Sequence, residues 1–154
     1  MTQINWIRVL IGGIVAGVII DVVQWLLNGV LLGSDWRAVM QALGRPVQET
    51  AGSIVFYIVL GFAYGIMAIG AYAAIRPRFG AGPKTALYAG IGVWSLGYFL
   101  PLLTWMPMGL FPAYLVAIVM VVGLVEILLA TEAGAWVYQE EPRPGAERSV
   151  RQAA

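Results

Sequence analysis

Cysteine and histidine are both absent from the 154 residues of this chain. Without cysteine there is no disulfide, no thiolate metal site and no redox dithiol. Without histidine, bis-histidine haem ligation, the usual zinc sites and the commonest general base are excluded as well. Charge is scarce too: Asp, Glu, Lys and Arg make up 11% of the residues, where an average soluble domain has about 25%. The net charge is +1 and no basic stripe is present, which argues against nucleic acid as a partner. Hydrophobic residues fill the space left by charge. They make up 60% of the chain, and the mean hydropathy is +0.83. This is the composition of a membrane protein.

Four apolar segments, at roughly 5–32, 52–75, 84–104 and 112–138, are each long enough for a helix across a hydrocarbon core. They are too long for strands and show no period of two, so the expected fold class is all-α: a single four-transmembrane-helix bundle over residues 1–138. The first segment reads as a retained helix rather than a cleavable signal, because Arg8 stands alone before it and Asp21 interrupts it. Residues 139–154 mix charge with Pro142, Pro144 and Gly145 and read as a disordered tail.

Between the first two segments, Trp36, Val39, Met40 and Leu43 recur at helical spacing. They predict a short amphipathic interfacial helix over about 35–43, with Ser34 as N-cap and Gly44 and Pro46 as stop signals. The same helix could equally pack on its own bundle. The run Arg76-Pro77-Arg78-Phe79-Gly80-Ala81-Gly82-Pro83-Lys84 reads as a tight basic turn, with Arg76, Arg78 and Lys84 as candidates for lipid head groups. Pro101 is expected to kink or end the third segment. The link near Trp105-Met106-Pro107-Met108-Gly109 carries no charge and belongs at the interface. Seven basic residues (Arg8, Arg76, Arg78, Lys84, Arg143, Arg148, Arg151) fall on the side of the termini, against Arg37 and Arg45 opposite. That asymmetry puts both termini in the cytoplasm.

Asp21 is the least expected residue, since a charge at the centre of a membrane helix costs roughly 2.5–3.5 kcal/mol on insertion scales. Gln24 and Asn28 share its helix face, and Glu126 lies in the last segment. At 1.5 Å per residue, Asp21, Tyr64 and Glu126 lie about 16, 18 and 21 Å from the outer ends of their segments, in one layer. The expected intramembrane polar site is therefore Asp21, Gln24, Asn28, Tyr64 and Glu126. One reading gives these groups a structural task, fixing helix register through hydrogen bonds. The other makes the carboxyls a proton or cation site on a transport path. Glu132 faces about 120° away from Glu126 and reads as snorkelling to the interface.

Small residues accompany the acids: Gly13 and Gly17, Gly61 and Gly65, Gly90 and Gly97, and Gly123 beside Glu126. Such stripes let membrane helices approach closely, so the acidic faces are expected to pack inward. Aromatic residues near the outer ends of the third and fourth segments read as an interfacial belt, with pigment or quinone binding as the alternative.

No nucleophile elbow, Gly-x-Gly-Asp pair or metal-ligand spacing occurs, so neither an enzyme, a cofactor nor a metal is expected. The first expectation is a non-enzymatic accessory or assembly subunit of a membrane complex, or a homo-oligomer, whose partners are lipids and other membrane subunits or itself. The second is a small proton- or cation-coupled transporter or channel using Asp21 and Glu126. The stretches Asn5-Trp6-Ile7-Arg8-Val9-Leu10, Leu27-Asn28-Gly29-Val30, Ala74-Ile75-Arg76-Pro77-Arg78-Phe79-Gly80 and Glu126-Ile127-Leu128-Leu129-Ala130-Thr131 resemble a set of small bacterial inner-membrane proteins without an assigned activity. The resemblance implies a bacterial inner-membrane protein with four helices, and no mechanism.

Overall fold

A computed structural model of the chain describes residues 4–45 and 50–138. Pro46 and the tail from 139 onward, both assigned roles from sequence, lie outside them. The described residues form an all-α bundle. Four of its helices are long and apolar enough to cross a membrane: α1 (Trp6–Leu31), α3 (Ala51–Phe79), α4 (Pro83–Met108) and α5 (Ala113–Val137). A short helix, α2 (Gly33–Ala42), links the first two.

The Asn5 side chain caps α1 by accepting from the Arg8 backbone N–H at 3.2 Å. After Gln24 the winding widens to a π-helix, Trp25–Leu31. Leu32 then breaks the helix and α2 begins at once. The expected N-cap Ser34 is a correction: it lies inside α2, because a single non-helical residue, Leu32, separates the two helices and takes the cap position. Gly44, at φ 69°, ends α2. Gly44 donates to the Gln41 carbonyl at 3.0 Å and Arg45 to that of Met40 at 2.9 Å, the paired bonds of a Schellman cap. Trp36 and Val39 pack on Leu27, Leu32 and Leu115, and Trp36 meets the Phe111 ring edge-on at 5.7 Å. α2 therefore rests on one end of its own bundle.

Thr50 and Ser53 form a reciprocal capping box at the start of α3. The helix then runs four residues beyond the expected end at 75, so Arg76 and Arg78 belong to its last turn rather than to a loop. Pro77 is tolerated because it removes one hydrogen bond close to a helix end, and its fixed φ is helical. The actual turn is Gly80-Ala81-Gly82, with φ of 85° and 132° at its two glycines. Pro83 opens α4 at its first turn, and Thr85 donates its hydroxyl hydrogen to the Gly80 carbonyl at 2.8 Å.

Pro101 does not end α4. The helix widens to π winding over Ser95–Phe99 just before it and continues to Trp105. Met106–Met108 form a last 3-10 turn, and Gly109, at φ 62°, reverses the chain into α5.

α1 is the central strut, packed on α3 and α5, with α4 completing the bundle against both. The main core joins Val9, Ala16 and Ile20 of α1 to Ile69 and Ala73 of α3, Ala86 and Ala89 of α4, and Ile127 and Ala130 of α5. Most of these are small or β-branched residues, as close helix approach without a hydrophobic driving force requires.

Candidate functional site

Glu126 sits at the centre of this bundle. It is 1% exposed, on the face of α5 that also buries Gly123, Ile127 and Ala130. Gln24 reaches it from α1, donating from Nε2 to the Glu126 Oε2 at 2.8 Å. The same nitrogen donates at 2.8 Å to the Tyr98 hydroxyl of α4. Gln24 Oε1 accepts from Asn28 Nδ2 at 2.5 Å, and Asn28 Oδ1 accepts from the Trp36 indole N–H of α2 at 2.9 Å. A column of five polar groups thus runs Trp36–Asn28–Gln24 and forks to Glu126 and Tyr98. This amide orientation gives every heteroatom of Gln24 and Asn28 a complementary neighbour. Reversing Gln24 would set its oxygen against the carboxylate and its NH2 against that of Asn28.

Local structure explains the convergence. Gln24 is the last α-helical residue of α1 before the winding widens, and Tyr98 lies within the widened turn of α4. A π turn rotates later residues relative to a regular helix, and such turns recur at functional sites. Tyr98 can approach α5 because Gly123 has no side chain: a Cβ there would come within 2.7 Å of the Tyr98 ring.

Two expected members do not join the column. The Asp21 carboxylate faces Gly61 of α3, occupying the space a side chain at 61 would need, and is half-buried. It makes no hydrogen bond to Gln24 or Glu126. Tyr64 donates instead to the Gly97 backbone carbonyl at 3.3 Å, and its ring lies 5.8 Å from that of Tyr98. Depth along the helices puts these groups in one layer but does not fix their azimuth. The π segments alter azimuth further.

Tyr98 and Trp36 are members of the column that depth and spacing missed. Tyr98 falls among the aromatics near the outer end of the third segment, where an interfacial belt is expected, yet its hydroxyl is inside the bundle and accepts from Gln24. Its place directly after Gly97, opposite another glycine, was the available signal. Trp94 is likewise turned inward and donates to the Met120 carbonyl at 3.0 Å.

The column leaves specific atoms unsatisfied. Oε1 of Glu126 and Oδ2 of Asp21 are shielded from solvent and have no hydrogen-bond partner. No Lys or Arg occurs from Val9 to Asp35, from Ala51 to Ile75 or from Thr85 to Tyr138, so none of these apolar stretches supplies a cation of its own. Among the described residues no group of three or more acidic side chains could hold a metal ion. Glu132 is half-buried on α5.

The seven glycines singled out from sequence all lie against other helices. A Cβ on Gly13 would meet Ile66, one on Gly17 would meet Phe62, and one on Gly65 would strike the backbone of Gly13 and Gly17. Gly90 abuts Leu128 and Thr131, and Gly97 abuts Tyr64. Gly12 and Gly134, where α1 and α5 approach backbone to backbone, were not singled out because no GxxxG pattern marks them. Of the basic candidates, Arg78 and Lys84 are exposed. Arg76 is half-buried, its guanidinium 5.6 Å from the centre of the Tyr138 ring. No protein-family model, curated protein or solved structure matches this chain, so its four-helix membrane-type bundle stands without a family assignment.

Proposed function

We propose that this chain is a small, non-enzymatic integral membrane carrier or channel coupled to protons or cations, with Glu126 as the exchanging carboxyl. The observation that carries the reading is the state of Glu126: 1% exposed, held through one oxygen by Gln24, with the other oxygen unpartnered and no Lys or Arg along the apolar stretches around it. An ionisable group kept at that depth marks an ion or proton pathway more often than a packing device. The Trp36–Asn28–Gln24 column, donating at each link towards Glu126, holds Oε2 in place and leaves Oε1 to take the proton or cation. The basic asymmetry of the sequence supports both termini on the cytoplasmic side, and the resemblance to small bacterial inner-membrane proteins supports a bacterial cytoplasmic membrane as the location.

The test is proton movement into proteoliposomes under an imposed potential. Wild type should acidify the lumen faster than empty vesicles, and Glu126→Gln should return the rate to background while remaining a single folded species. Equal rates for wild type, Glu126→Gln and empty vesicles would remove the proposal.

A second reading, as a subunit of a larger membrane complex or of a homo-oligomer, is favoured by one feature. From Ile54 to Leu60 every side chain of α3 is exposed, on all sides of the helix. Native mass spectrometry of protein taken gently from its own membrane separates the two readings: co-purifying subunits support the second, a bare chain the first.

A further inference from the structure

At the end of the bundle away from α2, the turn Gly80-Ala81-Gly82 joins α3 to α4. Its shape is fixed from both sides. Pro77 and Pro83 restrict the backbone before and after it, the Gly82 N–H donates to the Tyr72 hydroxyl at 3.2 Å, and the Thr85 hydroxyl holds the Gly80 carbonyl. Arg78 on one side of the turn and Lys84 on the other are exposed, and neither is in an ion pair among the described residues. Two rings link these cations. Phe79 of α3 and Tyr88 of α4 meet edge to face across the two helices, with centres 5.6 Å apart, and both are exposed. The Arg78 guanidinium lies 5.9 Å from the centre of the Phe79 ring. Lys84 stands one turn before Tyr88, and helical side chains lean towards the N-terminus, so Tyr88 covers the turn that carries Lys84. Leu87 and Ile91 continue the exposed surface along α4. From the bundle end inward the order is charge, ring, aliphatic side chain.

We infer that this surface holds one anionic phospholipid, with its phosphate on Arg78 and Lys84 and an acyl chain along Tyr88, Leu87 and Ile91. The two cations are uncompensated and sit where two spanning helices leave the hydrocarbon, at the depth of lipid phosphates. The surface below them is apolar and rich in ring area, which suits the glycerol and first methylenes of a lipid. A soluble phosphate would engage the cations and leave that track without a partner. A zwitterionic lipid would bring its own ammonium to a place that already holds two positive charges. Because the turn is fixed, little ordering is lost when the head group binds. Arg76 is not part of this surface: its guanidinium is half-buried against the Tyr138 ring. The inference is separate from proton exchange at Glu126, and failure of either leaves the other standing.

The experiment is native mass spectrometry of the full chain in detergent, titrated with phosphatidylglycerol or with phosphatidylcholine of the same acyl chains. A basic side chain near anionic lipid contributes about fivefold, so the two together should favour phosphatidylglycerol by about thirtyfold. The double variant Arg78→Gln/Lys84→Gln should lose most of that preference. Arg37→Gln/Arg45→Gln makes the same change in net charge at the other end of the bundle and should keep it. All four positions are exposed, so the comparison does not turn on folding. Phe79→Leu, which removes the ring beside Arg78, should weaken phosphatidylglycerol binding several-fold. Equal affinity for the two lipids overturns the inference, as does a preference unchanged in Arg78→Gln/Lys84→Gln or lost equally in Arg37→Gln/Arg45→Gln. So does displacement of the lipid by inorganic phosphate, which would assign the cations to a soluble anion.

Discussion

Gln24 and Glu126 are 102 residues apart in the chain and 2.8 Å apart in the bundle, joined by a hydrogen bond from amide to carboxylate. This bond ties α1 to α5 at the point where Gln24 also holds Tyr98 of α4. One side chain therefore sets the rotation of three spans. In a membrane such bonds measure about 0.6 kcal/mol on average and reach about 1–2 kcal/mol. The network contributes geometry more than bulk stability.

Replacing Gln24 by Leu removes the donor to both partners and leaves a buried carboxylate oxygen and a tyrosine hydroxyl without it. The expected cost is about 1–3 kcal/mol, dominated by the unsatisfied groups. In the Glu126→Gln background the same replacement should cost less, with a coupling energy of about 0.5–2 kcal/mol. Reversible unfolding of the four proteins in mixed micelles measures this. Strict additivity would show that the carboxylate accepts this bond no better than an amide does.

Gly65 carries the tightest approach between α1 and α3, against the backbone of Gly13 and Gly17. Backbone cannot move aside as a flexible side chain can. Gly65→Ala should therefore destabilise by about 1–3 kcal/mol, the usual range for overpacking. Gly70→Ala, on the same helix with open space around it, is the control and should change little. Thermal unfolding in detergent compares the two, and equal midpoints would contradict the close contact.

Tyr64 donates to the Gly97 carbonyl at 3.3 Å. Four residues later stands Pro101, whose missing N–H would otherwise serve that carbonyl in a regular helix. Tyr64→Phe should therefore cost about 0.5–1.5 kcal/mol, the ordinary worth of a hydrogen bond. Pro101→Ala, which restores a backbone donor, should reduce that cost. An undiminished loss in the double variant would mean that the hydroxyl does not compensate for the proline.

The parts of the fold visible in the sequence are those set by one-dimensional quantities. Apolar length located all four spans to within a few residues, and GxxxG spacing marked the α1–α3 seam. Two kinds of feature were not legible. Helix ends near prolines were misplaced, because Pro77 and Pro101 are tolerated for reasons that lie in three dimensions: proximity to a helix end in one case, a widened turn and a tyrosine from another helix in the other. The membership of the polar site was only partly read. Depth placed Asp21, Tyr64 and Glu126 together, but helix rotation sends Asp21 to Gly61 and Tyr64 to Gly97, and brings in Tyr98 and Trp36 instead.

The length of α3 has its own consequence. Its 29 residues extend about 43 Å at 1.5 Å per residue, whereas a hydrocarbon core is about 30 Å thick. Standing upright, such a helix would push its ends well into the head groups on both sides. Leaning is the alternative response to mismatch. Because no residue of α3 from Ile54 to Leu60 is buried, that end is free to lean away from α1 while the part from Gly61 onward stays seated against the bundle. A thinner bilayer would be matched by more lean, and a thicker one by drawing the two helices back towards parallel. The exposed stretch from Ile54 to Leu60 should then stand more upright as the acyl chains of the surrounding lipid lengthen.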